Sequence, residues 1–484
     1  MKKALKKQLK FYQKNNNFLC IEEPAILDKG IQNIDKQIDT LSNFYINKKT
    51  TLKIVKFVPA SGAATRMFKD LILLREESIS SNETKLFFDN ILQFPFSNFI
   101  QRALKKIGAK REDLQNPLIA NQLIEQILKN FNYTILPKGL IPFHKYNNEI
   151  RTAFQEHFIE GVQYCQNKGN IIPLHFTVGE KHQALFRLSL RSFISNYEQL
   201  YNCSFHVSFS VQDPDTHSIA VNLDNTPFLD KKGNIVLRPA GHGALIKNLN
   251  HLDADIIFIK NIDNVTVDSK KENTFKYKKA LAGLLLQIQE KIFSFLKNLD
   301  QNILKIDDAL LFLQNDLNII LPKDFKHLSE AEKKSFIKQK LNRPTRVCGM
   351  VKNEGQAGGG PFWVKNQDTN EITLQIVESA QINFKDIQQK EIFESSTHFN
   401  PVDIVCGVKD YKGIKFDLEQ FVDPDTYFIA EKTHEGKPIK ALELPGLWNG
   451  AMSNWNTLFI EVPLNTFSPV KTVLDLLKPA HQGE

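Results

Sequence analysis

Short runs rich in β-branched and aromatic residues alternate with longer stretches of helical spacing along most of the chain. This alternation limits the fold more than any other feature of the sequence. Ile54-Val55-Lys56-Phe57-Val58 predicts a strand over 53–58, running into the small-residue loop and helix start "PASGAATRM". A mostly helical stretch follows from 70 to 135, with Leu123, Ile124, Ile127, Leu128 and Phe131 on one face. A helix is predicted within 148–170, stopped by Gly169, then strands over 171–178 and 205–211 with a helix between them. The segment 253–265 reads as a buried strand ending in polar residues. Residues 275–340 are helical, with Leu281, Leu284, Leu285, Ile288 and Ile292 forming one buried stripe. Strands return from 346 in "RVCGMVKN", "PFWVKN", "ITLQIVES", "TYFIAEK" and "TLFIEVPL", and a last helix starts near Ser468. The pattern predicts an α/β fold, a mixed central sheet with helices on both faces. Residues 1–50 read as a polar, helical cap. Residues 51–345 read as the core, with helical insertions near 70–135 and 275–340, and 346–484 as a C-terminal sheet.

Composition narrows the function classes. The chain has 484 residues, 42% hydrophobic and 24% charged, the profile of an ordinary globular protein. Its net charge of +8, from 62 Lys+Arg against 54 Asp+Glu, suits a small anionic substrate but is too slight for a nucleic-acid footprint. The five cysteines are dispersed without a Cys-x-x-Cys pair, which argues against a disulfide framework or a zinc site. The lysine-rich opening "MKKALKKQLKFYQKNNNF" has no apolar stretch behind it, so it does not read as a signal peptide. No apolar run approaches the ~18 residues of a membrane helix. The expectation is a cytoplasmic protein without nucleic-acid or membrane partners.

Six motifs could carry chemistry. In "SGAATRM", Gly62 permits close approach, Ala63 and Ala64 keep the loop small, and Thr65 and Arg66 can donate to phosphate oxygens; the other reading is a plain β–α turn. "LPKGL" puts Lys138 on a rigid turn, either beside an anion or simply solvated. In "RPAGHGAL", Gly241 and Gly243 flank His242, so backbone could approach a flat ligand, or the histidine packs locally. Asp263, beyond a buried strand in "IKNIDNV", could hold a hard cation or cap a turn. "GQAGGGPF" suggests close approach or a flexible hairpin, and "FSPVKTVLDLL" sets Lys471 at a helix start, where a cation is easier to explain beside an anion.

Taken in order, "SGAATRM", "PKGL", "FSVQ", "PAGHG", "NIDN", "GQAGGGPF", "LQIVESAQI", "HFNPVD" and "SPVKTVLDLL" resemble the UDP-sugar pyrophosphorylases. These are sugar nucleotidyltransferases of glycosyltransferase-A-like, nucleotide-diphospho-sugar transferase (Rossmann-like) fold. More narrowly, the chain looks like a bacterial domain-of-unknown-function family within that superfamily. The resemblance covers most of residues 52–478. It implies that a nucleoside triphosphate (UTP) and a sugar 1-phosphate are joined with release of pyrophosphate, with Mg2+ as cofactor. It assigns Gly62, Ala63, Thr65 and Arg66 to the triphosphate loop, and Lys138 and Lys471 to phosphate. Gln212, Gly241, His242 and Gly243 match the uridine segments. Asn264, Gly359 and Glu378 match sugar-binding positions, and Asp263 and Asp403 are metal ligands by the same resemblance. Ala63 and Ala64 stand where relatives are glycine-rich, and Ala244 follows "GHG" in place of an acidic residue. These departures motivate the alternative of a non-catalytic nucleotide-sugar-binding protein.

Overall fold

The structure, a computed structural model, describes residues 2–14, 18–77, 80–130, 136–355 and 358–483, with 2–7 and 130 described by backbone alone. Phe131 and the Gln356-Ala357 part of the glycine motif lie outside the described residues. The chain forms two compact units drawn from interleaved stretches. Unit 1 comprises Met1–Val55, Val211–Ile259 and Lys276–Leu464, and unit 2 comprises Lys56–Ser210, Lys260–Phe275 and Asn465–Glu484.

The core of unit 1 is a mixed sheet. Its strand Thr345–Lys352 is buried at every position but the last. It pairs antiparallel with His398–Gly407 and parallel with Asn456–Glu461, so both edges are covered and a near-continuous apolar run is required. The strand His398–Gly407 is absent from the sequence expectation, because "HFNPVD" places Asn, Pro and Asp inside it. The ladder slips between Gly349 and Val351, and Val402 adopts a φ of 59°, rare for a β-branched residue. Pro401 is tolerated at this irregularity, where a regular ladder hydrogen bond is not needed. The long helix Glu272–Asp300 carries the predicted stripe, with Leu281, Leu284, Leu285, Ile288 and Ile292 all buried. A Cβ on Gly283 would lie 1.9 Å from the Leu41 carbonyl oxygen, so only glycine lets this helix approach so closely.

Residues 1–50 are less helical than the sequence reading expects. Helices Lys2–Gln13 and Ile38–Lys48 are present, but Cys20–Pro24 and Gly30–Gln32 are strands. Their short β runs are stabilised by distant partners: Cys20–Pro24 pairs with Gly360–Lys365, and Gly30–Gln32 with Asn456–Glu461. A further small sheet contains Ser218–Val221, Lys437–Glu443 and Phe428–His434. Helix Lys2–Gln13 reaches this sheet through the Tyr12 hydroxyl, which donates to the Ile219 carbonyl at 2.6 Å and accepts from the Leu442 amide at 2.6 Å.

In unit 2, residues 56–59 run parallel to Ile171–Val178, with Lys56 opposite Leu174 and Pro59 opposite Thr177. Helix Ala153–Tyr164 begins in a Thr152/Gln155 capping box. Gly161 lets it approach the strand, since a Cβ there would meet Leu174 at 2.9 Å. Phe154, Phe158, Phe176, Phe193 and Phe205 pack edge-to-face or stacked around it. The helix ends at Tyr164, earlier than predicted, and Gly169 instead supplies a left-handed turn at φ 77°. Leu123, Ile124, Ile127 and Leu128 are buried on helix Pro117–Asn130, as their spacing predicts. The predicted C-terminal helix is a short 3-10 turn, Val473–Leu477, preceded by extended chain. No helix among the described residues is long and apolar enough to cross a membrane.

Candidate functional site

The 60–66 loop leaves its strand and is held by the turn that carries Lys138. Ala63 forms a β-bridge with Pro137, and the Lys138 amide donates to the Gly62 carbonyl at 3.0 Å. Gly62, Ala63, Thr65 and Arg66 are exposed, while Ala64 is buried and anchors the turn. Gly62 has no positive φ, and a Cβ built on it would meet nothing within 4 Å. Protein packing therefore does not demand glycine here.

Lys138 and Asp263 form an ion pair of 2.6 Å, partly open to solvent. Gly139 is packed against Ile262, where a Cβ would fall 2.9 Å away. Asn264 and Pro469 form a β-bridge, the Val470 amide donates to the Asp263 carbonyl at 3.2 Å, and the Ser468 amide donates to Asn264 Oδ1 at 2.8 Å. The Asn264 side-chain amide nitrogen is buried with no hydrogen-bond partner among the described residues. The Val473 amide then donates to the Met67 carbonyl at 3.0 Å, returning the segment to the end of the first loop. Lys471 is exposed on this segment, and its amide and that of Thr472 both donate to Asp475 Oδ2 at 2.7 Å. Asp475 thus shapes the turn that presents Lys471, in place of the predicted helix start. Four motifs far apart in the chain are in this way tied together by backbone hydrogen bonds within unit 2.

The remaining predicted residues belong to unit 1. Gly241–Ala244 forms a 3-10 turn. The His242 ring stacks on Trp448 at 4.2 Å between centroids and 11° between planes. Its Nδ1 accepts from the Leu447 amide at 2.9 Å, which places the ring proton of the neutral form on Nε2, 3.4 Å from Glu378. Burial pushes the Glu378 carboxyl up, but hydrogen bonds from His242 and Trp448 outweigh it and hold it below the ordinary range. Gly359 lies against Glu378, where a Cβ would be 3.2 Å from its Cγ. Gln212 is engaged within its own loop, donating to Thr216 Oγ1 at 3.2 Å.

Asp403 is buried and its carboxylate is paired with Lys278, itself fully buried. That ammonium takes the charge a cation would otherwise supply. Among the described residues no group of three or more His, Cys, Asp or Glu side chains could hold a metal ion. Sequence reading leaves Lys278 outside the assigned residues, and offers Trp448, with Asn449 and Trp455, only as an aromatic and amide face for a sugar or, equally, as packed core. The signal for Lys278 is a lysine within a stripe of helical apolar spacing; for Trp448 it is the aromatic and amide cluster "LWNGAMSNWN".

Comparison with known proteins agrees with this layout at the level of fold. The chain aligns over 98% of its length with 74% of the UDP-N-acetylglucosamine pyrophosphorylase of Trypanosoma brucei, solved with an inhibitor, at 12% identity and a TM-score of 0.51. A UDP-glucose phosphorylase of Trypanosoma brucei (13% identity, TM-score 0.48, 98% and 73% covered) is more distant in backbone. So is a V402W mutant of the UDP-glucose pyrophosphorylase of Leishmania major (13%, 0.45, 98% and 74%). The first likeness shows a mixed α/β fold shared with a UDP-sugar pyrophosphorylase. No curated protein matches the chain by sequence. The family model for DUF4301, a domain of unknown function, matches residues 1–482, and the chain therefore belongs to the DUF4301 family.

Proposed function

We propose that the protein is a sugar-1-phosphate nucleotidyltransferase, joining a sugar 1-phosphate to a nucleoside triphosphate, UTP in our reading. The observation that carries this reading is the gathering in unit 2 of the 60–66 loop, Lys138, Asp263 and the Lys471 segment. A phosphate oxygen of the sugar phosphate attacks the α-phosphorus, the bond from that phosphorus to the bridging oxygen breaks, and pyrophosphate leaves. The nucleophile is already anionic, so the protein needs only to position the reactants and neutralise charge. Arg66, Lys138 and Lys471 supply positive charge, and Gly62, Ala63 and Thr65 leave room for the triphosphate.

Mg2+ binds through one or two carboxylates together with substrate phosphates and waters. Asp263, partly exposed beside the loop, fits that donor set. Asp403, enclosed against Lys278, does not. When bound, the ion would neutralise phosphate charge. In unit 1, His242 would offer a base the ring face turned away from Trp448, Gly241 and Gly243 would hold that ring in place, and Gln212 would contribute to the uridine segments. Glu378 would accept from sugar hydroxyls, with Gly359 leaving space for the ring. Asn264, whose buried side-chain nitrogen has no hydrogen-bond partner among the described residues, is a candidate sugar donor in unit 2.

A second reading, a non-catalytic nucleotide-sugar-binding protein, is favoured by the Lys138–Asp263 ion pair, which engages both groups with each other. The test follows pyrophosphate release from UTP, Mg2+ and a panel of sugar 1-phosphates. Release supports the enzyme. UDP-sugar binding by calorimetry without release supports the second reading, and neither binding nor release removes both.

A further inference from the structure

Unit 2 contains a buried charge cluster that the proposed chemistry does not use. Lys56 and Lys260 are 0% and 2% exposed, and both are paired with the single carboxylate of Glu160, itself 0% exposed. Lys56 Nζ donates to Glu160 Oε2 at 2.9 Å and to the His157 carbonyl at 3.0 Å. Lys260 Nζ donates to Oε1 at 2.6 Å, and the Tyr164 hydroxyl donates to Oε2 at 2.9 Å. The His157 Nε2 lies 3.1 Å from the Ile262 carbonyl, one residue before Asp263. Burial first, and then the Lys56 charge, hold this imidazole neutral.

Among the described residues the charges do not balance. Two ammonium groups face one carboxylate, and the other groups around Lys56, namely His157, Tyr164 and Cys165, are neutral in their ordinary forms. An uncompensated charge in a protein interior is costly. Burial accordingly draws the Lys56 ammonium down to about 8, against the pull of Glu160 and with the repulsion of Lys260. Both lysines sit on strands whose ends feed the candidate site. Lys56 precedes the 60–66 loop, and Lys260 is the last residue of the strand before Asp263.

We propose that Lys56, Lys260 and Glu160 form a buried store of positive charge that supports a polyphosphate bound at the 60–66 loop, and that such binding draws a proton onto Lys56. The inference rests on reading that loop as a phosphate site. Linkage makes the effect reciprocal: the anion raises the proton affinity of Lys56 by the same factor by which the proton raises anion affinity. Below pH 8 Lys56 is already charged and no proton moves. Above it, binding takes up a proton and affinity falls.

Calorimetry of UTP binding to the full chain, without metal, in buffers of differing ionisation heat tests this. Wild type should take up a measurable fraction of a proton at pH 8.5; at pH 6.5, where the terminal phosphate of UTP titrates itself, its proton exchange should match that of Lys56→Arg. Measured against Lys56→Arg, wild-type affinity should drop about twofold to fourfold between the two pH values, about fourfold being the ceiling that linkage sets at pH 8.5 for a lysine titrating at about 8. Lys56→Arg should bind at pH 8.5 without proton uptake, since guanidinium does not titrate there. Lys56→Met should bind more weakly than wild type at pH 6.5, and at pH 8.5 should also bind without uptake. If Lys56→Met does not fold, Lys56→Arg against wild type decides. UTP binding with no proton uptake by wild type, or with uptake undiminished in Lys56→Arg, overturns the inference but leaves the loop assignment standing. Failure of UTP to bind at all overturns both.

Discussion

The glycines of the histidine turn in unit 1 and of the 60–66 loop in unit 2 look alike in sequence, yet the fold treats them oppositely. Gly243 is required by the protein itself: a Cβ there would lie 2.3 Å from the Pro445 carbonyl oxygen. Gly241 combines a φ of +72° with a Cβ position 2.1 Å from Glu443. Gly62 has no such constraint, because a Cβ on it would point into open space. A glycine-rich motif can therefore record chain packing, as at "PAGHG", or room for something outside the chain, as at Gly62. The chemistry also differs. Unit 2 gathers exposed cations on backbone-tied loops, and unit 1 gathers a flat stacked histidine beside a carboxylate.

The largest expected difference between the units is in acid. Burial draws His175 down to about 4 and His481 to about 3, and drives His157 well below its ordinary value, all within unit 2. Each folded-state value lies below the unfolded one of 6.5, so the unfolded chain protonates first as pH falls. The stability these neutral histidines contribute is complete above pH 6.5 and is lost progressively as pH falls, toward pH 4 for His175 and pH 3 for His481, about 3 kcal/mol for His175 alone. Hydrogen exchange at pH 4.5 should show peptides of unit 2 opening first. All three tryptophans, Trp363, Trp448 and Trp455, report on unit 1, so their fluorescence should hold to lower pH. Simultaneous loss of both signals would break the contrast.

Next in size is the ion pair. Asp263→Asn should lower pyrophosphate-releasing turnover about a hundredfold to a thousandfold. Its melting temperature should move little, since a partly exposed pair is worth about 1 kcal/mol or less. Wild-type turnover in this variant would remove Asp263 from the site. The glycines then give a paired test. Gly243→Ala should cost about 3 kcal/mol in denaturant unfolding through overpacking. Gly62→Ala should stay within about 0.5 kcal/mol of wild type while weakening UTP binding. Equal destabilisation by both would refute the distinction between them. The smallest effect is expected at the stacked ring: His242→Ala should weaken nucleotide-sugar binding by about 1 kcal/mol in calorimetry, with turnover on saturating substrate much less altered.

Much of the fold was legible because periodicity reports burial directly. The stripe Leu281, Leu284, Leu285, Ile288 and Ile292 and the strand Ile171–Val178 needed nothing beyond their own spacing. The strand His398–Gly407 was not legible, because its irregular ladder at Val402 and Pro401 suits residues that argue against a strand. Nor were the strands within 20–32, which depend on partners more than 300 residues away. Among site residues, the resemblance assigned Lys138 to phosphate and Asp263 to metal but did not pair them, and it assigned His242 and Glu378 to different parts of the ligand, so neither meeting was legible. Nor was the enclosure of Asp403 by Lys278, because sequence spacing says nothing about which side chain faces a carboxylate across a core.

By itself the sequence determined the alternating α/β character and the buried stripes, since these follow from local periodicity and residue type. Only the tertiary structure decided which glycines serve the chain and which leave space beside it. It alone showed that Asp263 faces Lys138 while Asp403 is enclosed, and that two lysines share one buried glutamate. Those distinctions depend on distances between residues far apart in the chain, and charge and steric contact act through distance in space, not along the sequence.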